Sequence, residues 1–267
     1  MKQAKDRPIV TFVVGIVCIL IFAAIRFLRF AGDAEAAILL GAYYKPFIIA
    51  GEFWRFLTAG FVHIDLWHIL MNMMALRNLG MFMEKITGRW RYLAILLLSI
   101  IGGNVFFFIM SHQTYAVGLS GGLYGLMAGY TLLILYSGSW RDPRIMSSLI
   151  SAYLINLMIN FMPQVAAAAH AGGFFTGLLV TGILLPLKDQ KAKYHYGFCL
   201  LLLIAAMGYL IPKNAFIDED KIYAKSDIEV LRYEKEIGLG QHAEKIAANL
   251  DTIYTVDYQI YKKVMED

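Results

Sequence analysis

Long apolar runs separated by short polar segments make up most of the chain. A helix needs about 20 apolar residues to cross the hydrocarbon core of a bilayer, which is roughly 30 Å thick. Runs of about this length occur at residues 8–30, 57–76, 92–110, 119–136, 146–162, 168–187 and 194–212. The pattern therefore predicts seven transmembrane helices.

The pattern changes at residue 213. In the last 55 residues, twelve acidic and eight basic side chains interrupt the apolar ones, which indicates a segment exposed to water. A few apolar residues recur there at helical spacing, on either side of Gly-Leu-Gly at 238–240. They are Ile228, Leu231, Ile246, Leu250 and Ile253. We expect two or three short amphipathic helices that pack on one another or bind a protein partner.

Composition supports a membrane protein, because 59% of the residues are hydrophobic and only 16% are charged. The two cysteines, Cys18 and Cys199, lie inside apolar runs and indicate no disulfide framework. The sequence contains no phosphate-binding loop, no paired-cysteine metal spacing and no basic stripe of the kind that binds nucleic acid. We therefore expect no cofactor, no metal and no nucleic-acid partner.

Basic residues predict the orientation, since loops on the cytoplasmic side carry an excess of lysine and arginine. The alternate segments that are rich in basic residues hold Lys2, Lys5, Arg7, Arg77, Lys85, Arg89, Arg91, Arg141, Arg144, Lys188, Lys191 and Lys193. The loops at 111–118 and 163–167 carry no charged residue. This predicts a multi-pass protein of the plasma membrane with a cytoplasmic N-terminus, and seven crossings then place the tail outside the cell.

A long outer connection at 31–56 follows the first run. Its Tyr43, Tyr44, Trp54 and Arg55 are residue types that settle at the membrane–water interface. We expect this connection to lie on or in the outer surface of the bilayer. An aromatic belt with no further function is the alternative.

Polar side chains inside a membrane cost free energy unless they are paired, so they mark candidate functional positions. The selected residues are His63, His68, Asn72, Ser120, Tyr124 and His170. With a cytoplasmic N-terminus, all of them fall in the outer parts of the second, fourth and sixth runs. A cluster at one depth is therefore expected.

Glycines indicate which helices approach each other. Gly121, Gly125 and Gly129 repeat every fourth residue in the fourth run, and Gly173 and Gly177 do so in the sixth. If these faces meet, Ser120 and His170 come within hydrogen-bond reach. The alternative is ordinary glycine packing in which the serine and the histidine simply bond two helices together.

Serine is a weak nucleophile that needs an adjacent base, and imidazole is the usual one. No carboxylate is expected at the same depth, so a Ser120–His170 dyad is favoured over a triad, with Tyr124 stacked on the imidazole. Acyl transfer also needs donors for the developing oxyanion. His68, Asn72 and the amide of Ser120 are candidates, although His68 and Asn72 could instead bind loop carbonyls.

The motifs that carry these residues resemble those of the rhomboid intramembrane serine proteases. They are WRFLT at 54–58, HIDLWHILMN at 63–72, Glu84 after Leu-Gly, GLSGGLYG at 118–125 and AHAGGFFTG at 169–177. They occur in the family's order and spacing over roughly residues 50–187. The match does not extend to the seventh run or to the tail.

The resemblance implies a role for each matching residue. Ser120 corresponds to the nucleophile and His170 to the general base, while His68, Asn72 and the Ser120 amide correspond to the oxyanion hole and Tyr124 to the residue stacked on the base. Trp54 and Arg55 match a membrane-embedded first outer loop, Glu84 matches an acidic brace on the cytoplasmic side, and His63 matches a second, non-catalytic histidine. The loop at 163–167 and the fifth span match a movable cap and lateral gate.

The sequence thus predicts an all-α polytopic membrane protein with a rhomboid-like six-helix core over 1–190. An additional transmembrane helix follows over 191–212, and a small soluble helical tail over 213–267. The expected activity is endoproteolysis in or near transmembrane segments of other membrane proteins through an acyl-enzyme, in a site that opens to the extracellular side. Substrates should contain helix-destabilising residues, because a helical backbone hides its carbonyls in internal hydrogen bonds.

Two other functions compete with this interpretation. One is a proteolytically silent rhomboid-like protein that binds membrane helices, which the presence of both Ser120 and His170 disfavours. The other is a transporter or channel, which would distribute polar residues along a path across the bilayer. Here the polar residues are expected to gather on one side.

Overall fold

A computed structural model describes residues 7–28, 32–162, 165–185, 190–217 and 220–266. Lys2, Lys5 and Lys188 of the orientation argument lie outside the described residues. So do positions 163 and 164 of the predicted cap loop.

Helices occupy all seven predicted places. In chain order they are α1 (Ile9–Leu28), α5 and α6 (Leu66–Ala75 and Met81–Thr87, joined by a π-turn over Leu76–Gly80), α7 (Arg89–Met110), α8 (Ser120–Ser137), α9 (Pro143–Asn160), α10 (Ala167–Leu184) and α11 (Gln190–Lys213). Among the described residues, α1, α7, α10 and most of α11 are long and apolar enough to cross a membrane individually. The chain is therefore an all-α polytopic membrane protein, and the count of seven crossings stays a prediction.

The second span differs from its prediction at 57–76. Its helical residues form two parts, Arg55–Phe61 and Leu66–Thr87, which meet at 93°. The first part comprises α4 (Arg55–Thr58) and a 3₁₀ turn over Ala59–Phe61. Asp65 begins the second part, because its carboxylate accepts a hydrogen bond from the amide of His68 at 2.9 Å and so caps α5. His63 consequently lies in the break and not in a helix.

Glycine contacts join α8 to α10 at the centre of the bundle. A Cβ atom on Gly177 would lie 2.5 Å from the backbone oxygen of Gly125, and one on Gly173 would lie 3.0 Å from the Cα of Gly121. Backbone approaches this close require glycine on both helices. The predicted glycine faces therefore meet, one helix turn after another.

Glu84 binds the beginning of α1. Its buried carboxylate accepts hydrogen bonds from the amides of Val10 at 3.0 Å and Thr11 at 2.8 Å, and from the Thr11 hydroxyl at 2.7 Å. The first amides of a helix lack intrahelical partners and attract negative charge. Glu84 thus fastens α6 to the N-terminal end of α1, which agrees with the bracing role implied by the resemblance.

The outer connection folds into a small layer that packs on α1, α7 and the tail, which corrects the expectation that its aromatic and basic residues settle at the interface. It comprises α2 (Asp33–Leu39), β1 (Tyr43–Tyr44) and α3 (Lys45–Ile49), and β1 pairs antiparallel with β2 (Tyr115–Ala116). Of the four residues expected at the interface, Tyr43, Tyr44 and Arg55 are buried and Trp54 is exposed.

Arg55 is buried because protein groups replace water around its guanidinium. It forms an ion pair with Glu52 and donates to the carbonyls of Ile38 at 2.6 Å and Ala42 at 2.9 Å. A buried charge is tolerated only when it is paired and hydrogen-bonded in this way. Arg55 therefore holds α2 against α4.

The tail forms three helices, α12 (Asp220–Glu234), α13 (Gly240–Ile253) and α14 (Ile260–Met265). A π-turn over Lys235–Leu239 joins the first two, and Gly238 there has a φ of 92°, which glycine adopts without strain. Leu231, Ile246 and Leu250 are buried between the helices. The predicted break is confirmed, and of the two alternatives left open for the tail the structure shows that its helices pack on one another.

The tail also docks onto the outer connection. Its apolar cluster includes Phe47 of α3. Around it, the hydroxyl of Tyr44 donates to Asp227 at 2.7 Å, and the side-chain amide of Asn249 donates to the carbonyl of Ala50 at 2.8 Å. The tail and the outer connection therefore lie on the same side of the membrane, which agrees with the six crossings, an even number, predicted between them.

Several titratable groups are enclosed at this contact. Burial raises the pKa of Asp227 to about 7 and also raises the pKa of Glu52. His242 of α13 lies between two carboxylates, with Nε2 at 3.0 Å from Glu52 and Nδ1 at 2.9 Å from Glu234. Because burial raises the pKa of Asp227 and Glu52, proton uptake by these two carboxyl groups favours the docked tail.

We expect the tail to be held more tightly at pH 5 than at pH 8. Asp227 binds its proton more strongly when it is buried, so its stabilising contribution is complete below about pH 4 and is lost as the pH rises through about 7. A shift of about three pKa units corresponds to on the order of 4 kcal/mol. Hydrogen-exchange protection factors of α13 in detergent micelles measure the effect. The Asp227→Asn variant should show a flatter profile, and equal protection of the unmodified chain at both pH values would contradict this prediction.

Candidate active site

Ser120 is the first residue of α8, and the backbone before it is fixed at three points. Gly118 has a φ of 122°, which turns the chain into the helix, and its amide donates to the carbonyl of Ala59 at 3.0 Å. The amide of Leu119 donates to Nε2 of the buried His63 at 3.4 Å. His63, the non-catalytic histidine of the resemblance, therefore positions the start of α8.

His170 of α10 lies next to Ser120. Its Nε2 is 2.8 Å from the Ser120 Oγ, although fifty residues separate them in the sequence. The ring of Tyr124, one turn along α8, stacks on the imidazole with a centroid distance of 4.1 Å and an interplanar angle of 11°. The structure thus brings these three predicted residues together in the expected arrangement.

His68 and Asn72 of α5 approach the same region. A Cβ atom on Gly118 would lie 2.7 Å from the His68 Nε2, so the imidazole packs directly against the turn before Ser120. The side-chain amide of Asn72 donates to the carbonyl of His68 at 2.9 Å. That contact uses one of its two protons and leaves the other available. The carbonyl that Asn72 binds lies within α5 and not in a loop, and the role of Asn72 in binding an oxyanion stays a prediction.

A cavity lies beside the Ser120 hydroxyl. Its walls come from the turn at 116–118, from α7 and from the start of α10, and they include Asn104, Ala166 and Ala169. Asn104 donates from its side chain to the carbonyl of Phe56 at 2.9 Å. Asn104 was not among the predicted site residues. It is nevertheless a polar residue within the third apolar run, which marks a candidate functional position.

Asn160, at the end of α9, is a further residue that the sequence argument missed. Its Oδ1 lies 2.5 Å from the Nδ1 of His170, and its Nδ2 lies 2.8 Å from the hydroxyl of Tyr124. Asn156 and Asn160 are four residues apart within an apolar run and share a helix face. Polar residues inside apolar runs mark candidate functional positions, so both could have been identified from the sequence.

The arrangement combines a hydroxyl, a base within hydrogen-bond distance of it, and donors near a cavity, which are the groups needed for acyl transfer. Among the described residues, the group of three side chains whose ligand atoms could share a metal ion is Glu52, Glu234 and His242. That group lies at the tail contact and not beside Ser120.

Comparison with protein-family models gives a match over residues 50–187 to the family described as Rhomboid domain. This range contains the residues that line the cavity, from Ile100 to Ala169, and also His68, Asn72 and His170. It begins within the outer connection and ends just after α10.

Curated relatives include bacterial and plant proteins. RHOMBOID-like protein 4 of Arabidopsis thaliana is 30% identical over 160 residues, which are 59% of this chain and 39% of that protein. Rhomboid protease GluP of Bacillus subtilis is 25% identical over 281 residues, 90% of this chain and 55% of the relative. Putative rhomboid protease YdcA of the same organism is 27% identical over 195 residues, which are 69% of this chain and 92% of that protein. The chain thus spans about half the length of the first two relatives or less.

Proposed function

The chain belongs to the rhomboid family, and from this premise we propose that it is an intramembrane serine endopeptidase with Ser120 as nucleophile and His170 as general base. The observation that carries the proposal is the 2.8 Å separation of the Ser120 Oγ and the His170 Nε2 inside an apolar bundle. A half-buried serine paired with a buried histidine beside a cavity matches the requirements of covalent catalysis more closely than those of helix packing.

The reaction begins when Ser120 attacks the scissile carbonyl carbon and the His170 Nε2 takes the hydroxyl proton. The C–N bond then breaks, and His170 returns the proton to the leaving amine, so that an ester joins the substrate to Ser120. Water from the cavity attacks this ester with His170 again acting as base, which releases the acid product and restores the serine. The side chains alone carry every proton transfer, and the proposal includes no cofactor.

The oxyanion formed in each step would be bound by His68, Asn72 and the amide of Ser120. The amide is suitably placed because Ser120 begins α8, where the first amides lack helical acceptors. Preorganised donors of this type stabilise the charge that develops in the transition state. His68 is the closest of the side-chain donors to the turn at Gly118.

The His68→Ala variant is expected to lower kcat by about 10²- to 10³-fold with little change in KM, because oxyanion donors act mainly on the transition state. Steady-state cleavage of a model substrate in detergent measures both constants. Trp67→Phe is a matched control, since Trp67 precedes His68 on α5 but is exposed. An effect of His68→Ala confined to KM would instead assign His68 to substrate binding.

The proposed substrates are transmembrane proteins whose helices contain glycine or proline near the scissile bond. The substrate backbone must unwind before Ser120 can attack it, because a helix keeps its carbonyls in internal hydrogen bonds. We further propose the plasma membrane as the location, with a cytoplasmic N-terminus and the site and tail outside. The proposed division is a core over 1–190, an added helix over 191–212 and a tail over 213–267.

Reconstitution of the purified full chain in liposomes tests the proposal. A single-span model substrate with a Gly-Pro pair should be cleaved, and mass spectrometry of the products should place the cut within or next to its apolar segment. A fluorophosphonate should label the protein at Ser120. If the chain binds the helix but neither cleaves it nor reacts with the probe, the second candidate function, a silent membrane-helix binder, is favoured instead.

A further inference from the structure

We propose that Asn160 is a positioning residue for His170, holding the imidazole in the tautomer that can accept the proton of Ser120. The inference rests on the proposed function of the Ser120–His170 pair. It extends that function by adding a third side chain, from α9, to a pair that the sequence predicted to act without such a partner.

The backbone carbonyl of Asn156 can only accept hydrogen bonds. The hydroxyl of Tyr124 lies 3.3 Å from the carbonyl oxygen of Asn156 and donates its single proton there. Toward Asn160, which is 2.8 Å away, the same hydroxyl can then only accept. The amide nitrogen of Asn160 must therefore face Tyr124.

The orientation of the Asn160 amide determines the tautomer of His170. With its nitrogen toward Tyr124, the amide presents Oδ1 to the His170 Nδ1 at 2.5 Å. An amide oxygen only accepts, so Nδ1 must carry a hydrogen. In neutral imidazole the other nitrogen, Nε2, then has the free lone pair, and it faces the Ser120 Oγ at 2.8 Å. This is the arrangement in which Ser120 donates and His170 accepts.

Two groups thus restrain the base in complementary ways. The Tyr124 ring, stacked at 4.1 Å, limits tilting of the imidazole, while Asn160 limits its rotation about the Cβ–Cγ bond and selects the protonated nitrogen. Asn160 is neutral, so it adds no charge to the apolar bundle.

The position of Asn160 also connects the base to a loosely packed helix. Among the described residues of α9, Leu149 is the one that is buried. Polar contacts also attach α9 to its neighbours. The hydroxyls of Tyr153 and of Thr131 in α8 are 2.8 Å apart, and Asn160 contacts Tyr124 and His170. The tautomer of His170 is consequently maintained only while the end of α9 lies against α8 and α10.

Kinetics of three variants test the proposal. Asn160→Leu removes the acceptor at similar size and should lower kcat by about 10- to 100-fold, with KM within about twofold, because it disturbs the base and not substrate binding. Asn160→Asp keeps an acceptor oxygen and should recover most of the lost activity. Met158→Leu is the control on the same helix, since the Met158 side chain is exposed. It should retain near-normal kcat.

The tautomer is measured independently by the ¹⁵N chemical shifts of the His170 ring in micelles, assigned by their loss in His170→Ala. The unmodified chain and Met158→Leu should show a protonated Nδ1, and Asn160→Leu should show a mixture of tautomers. A normal kcat in Asn160→Leu, or an unchanged tautomer, would overturn the proposal. Since the spectra need no turnover, an inactive unmodified chain would remove the proposed proteolysis while the positioning role is still decided by the tautomer.

Discussion

Replacing Ser120 by alanine is expected to abolish proteolysis, lowering kcat by at least about 10⁴-fold. The substitution removes the only atom that the proposed mechanism bonds to the substrate, and water cannot replace it without the base being repositioned. The fold should survive the substitution. Ser120 is the first residue of α8, and its hydroxyl bonds to His170, so its loss removes no apolar packing from the core.

The His170→Ala variant should be nearly as inactive, and the double variant no worse than either single one. Residues that act as one unit lose their joint effect when either is removed, so the losses are far from additive. Cleavage of a model substrate in liposomes, together with fluorophosphonate labelling, measures these losses. Additive effects of the two substitutions would indicate that Ser120 and His170 act separately.

Ser137→Ala is the matched control for Ser120→Ala. Ser137 ends the same helix, where its hydroxyl contacts Ser139 at 2.7 Å, away from the cavity. Its replacement should leave cleavage unchanged. Substantial cleavage by the Ser120→Ala chain would refute the assignment of the nucleophile, whatever the control shows.

The second large effect is expected at Gly177, which should not tolerate even alanine. A Cβ atom there would lie 2.5 Å from the backbone oxygen of Gly125, and neither helix backbone can yield locally. The helices α8 and α10 must separate, which costs roughly 3 kcal/mol or more by analogy with overpacked cores. Separation also lengthens the contact between Ser120 and His170, and a displacement of about 1 Å can lower the rate on the order of 100-fold.

Thermal unfolding in detergent and the cleavage rate should therefore fall together in Gly177→Ala. The matched control is Gly208→Ala in α11, where an added Cβ atom meets nothing within 4 Å. That variant should unfold at or slightly above the temperature of the unmodified chain, because alanine favours a helix more than glycine does. Normal stability and normal activity of Gly177→Ala would show that α8 and α10 are not held this close.

Local patterns in the sequence were sufficient for the parts of the fold and site that depend on periodicity. Apolar runs predicted the places of the seven helices, and glycines at every fourth position predicted that α8 meets α10. That contact placed Ser120 next to His170 at 2.8 Å, as expected. Apolar residues at helical spacing on either side of Gly-Leu-Gly likewise predicted the tail helices and their break near Gly238.

Other features depended on where the chain places groups that are distant in the sequence. Arg55 was expected at the interface because arginine is usually solvated, and it is buried because carbonyls of Ile38 and Ala42 happen to surround it. The second span breaks before Leu66, which an average over apolar residues cannot detect. The docking of the tail on the outer connection joins segments separated by about 200 residues.

Asn160 illustrates the physical reason for this division. Its residue type and depth were readable in the sequence, but its role depends on a chain of donors and acceptors that runs from the Asn156 carbonyl through Tyr124 to His170. Hydrophobic periodicity describes how each helix partitions between lipid and protein, and it is a local property. Hydrogen bonds are short and directional, so only the tertiary arrangement of α8, α9 and α10 decides which polar atoms meet.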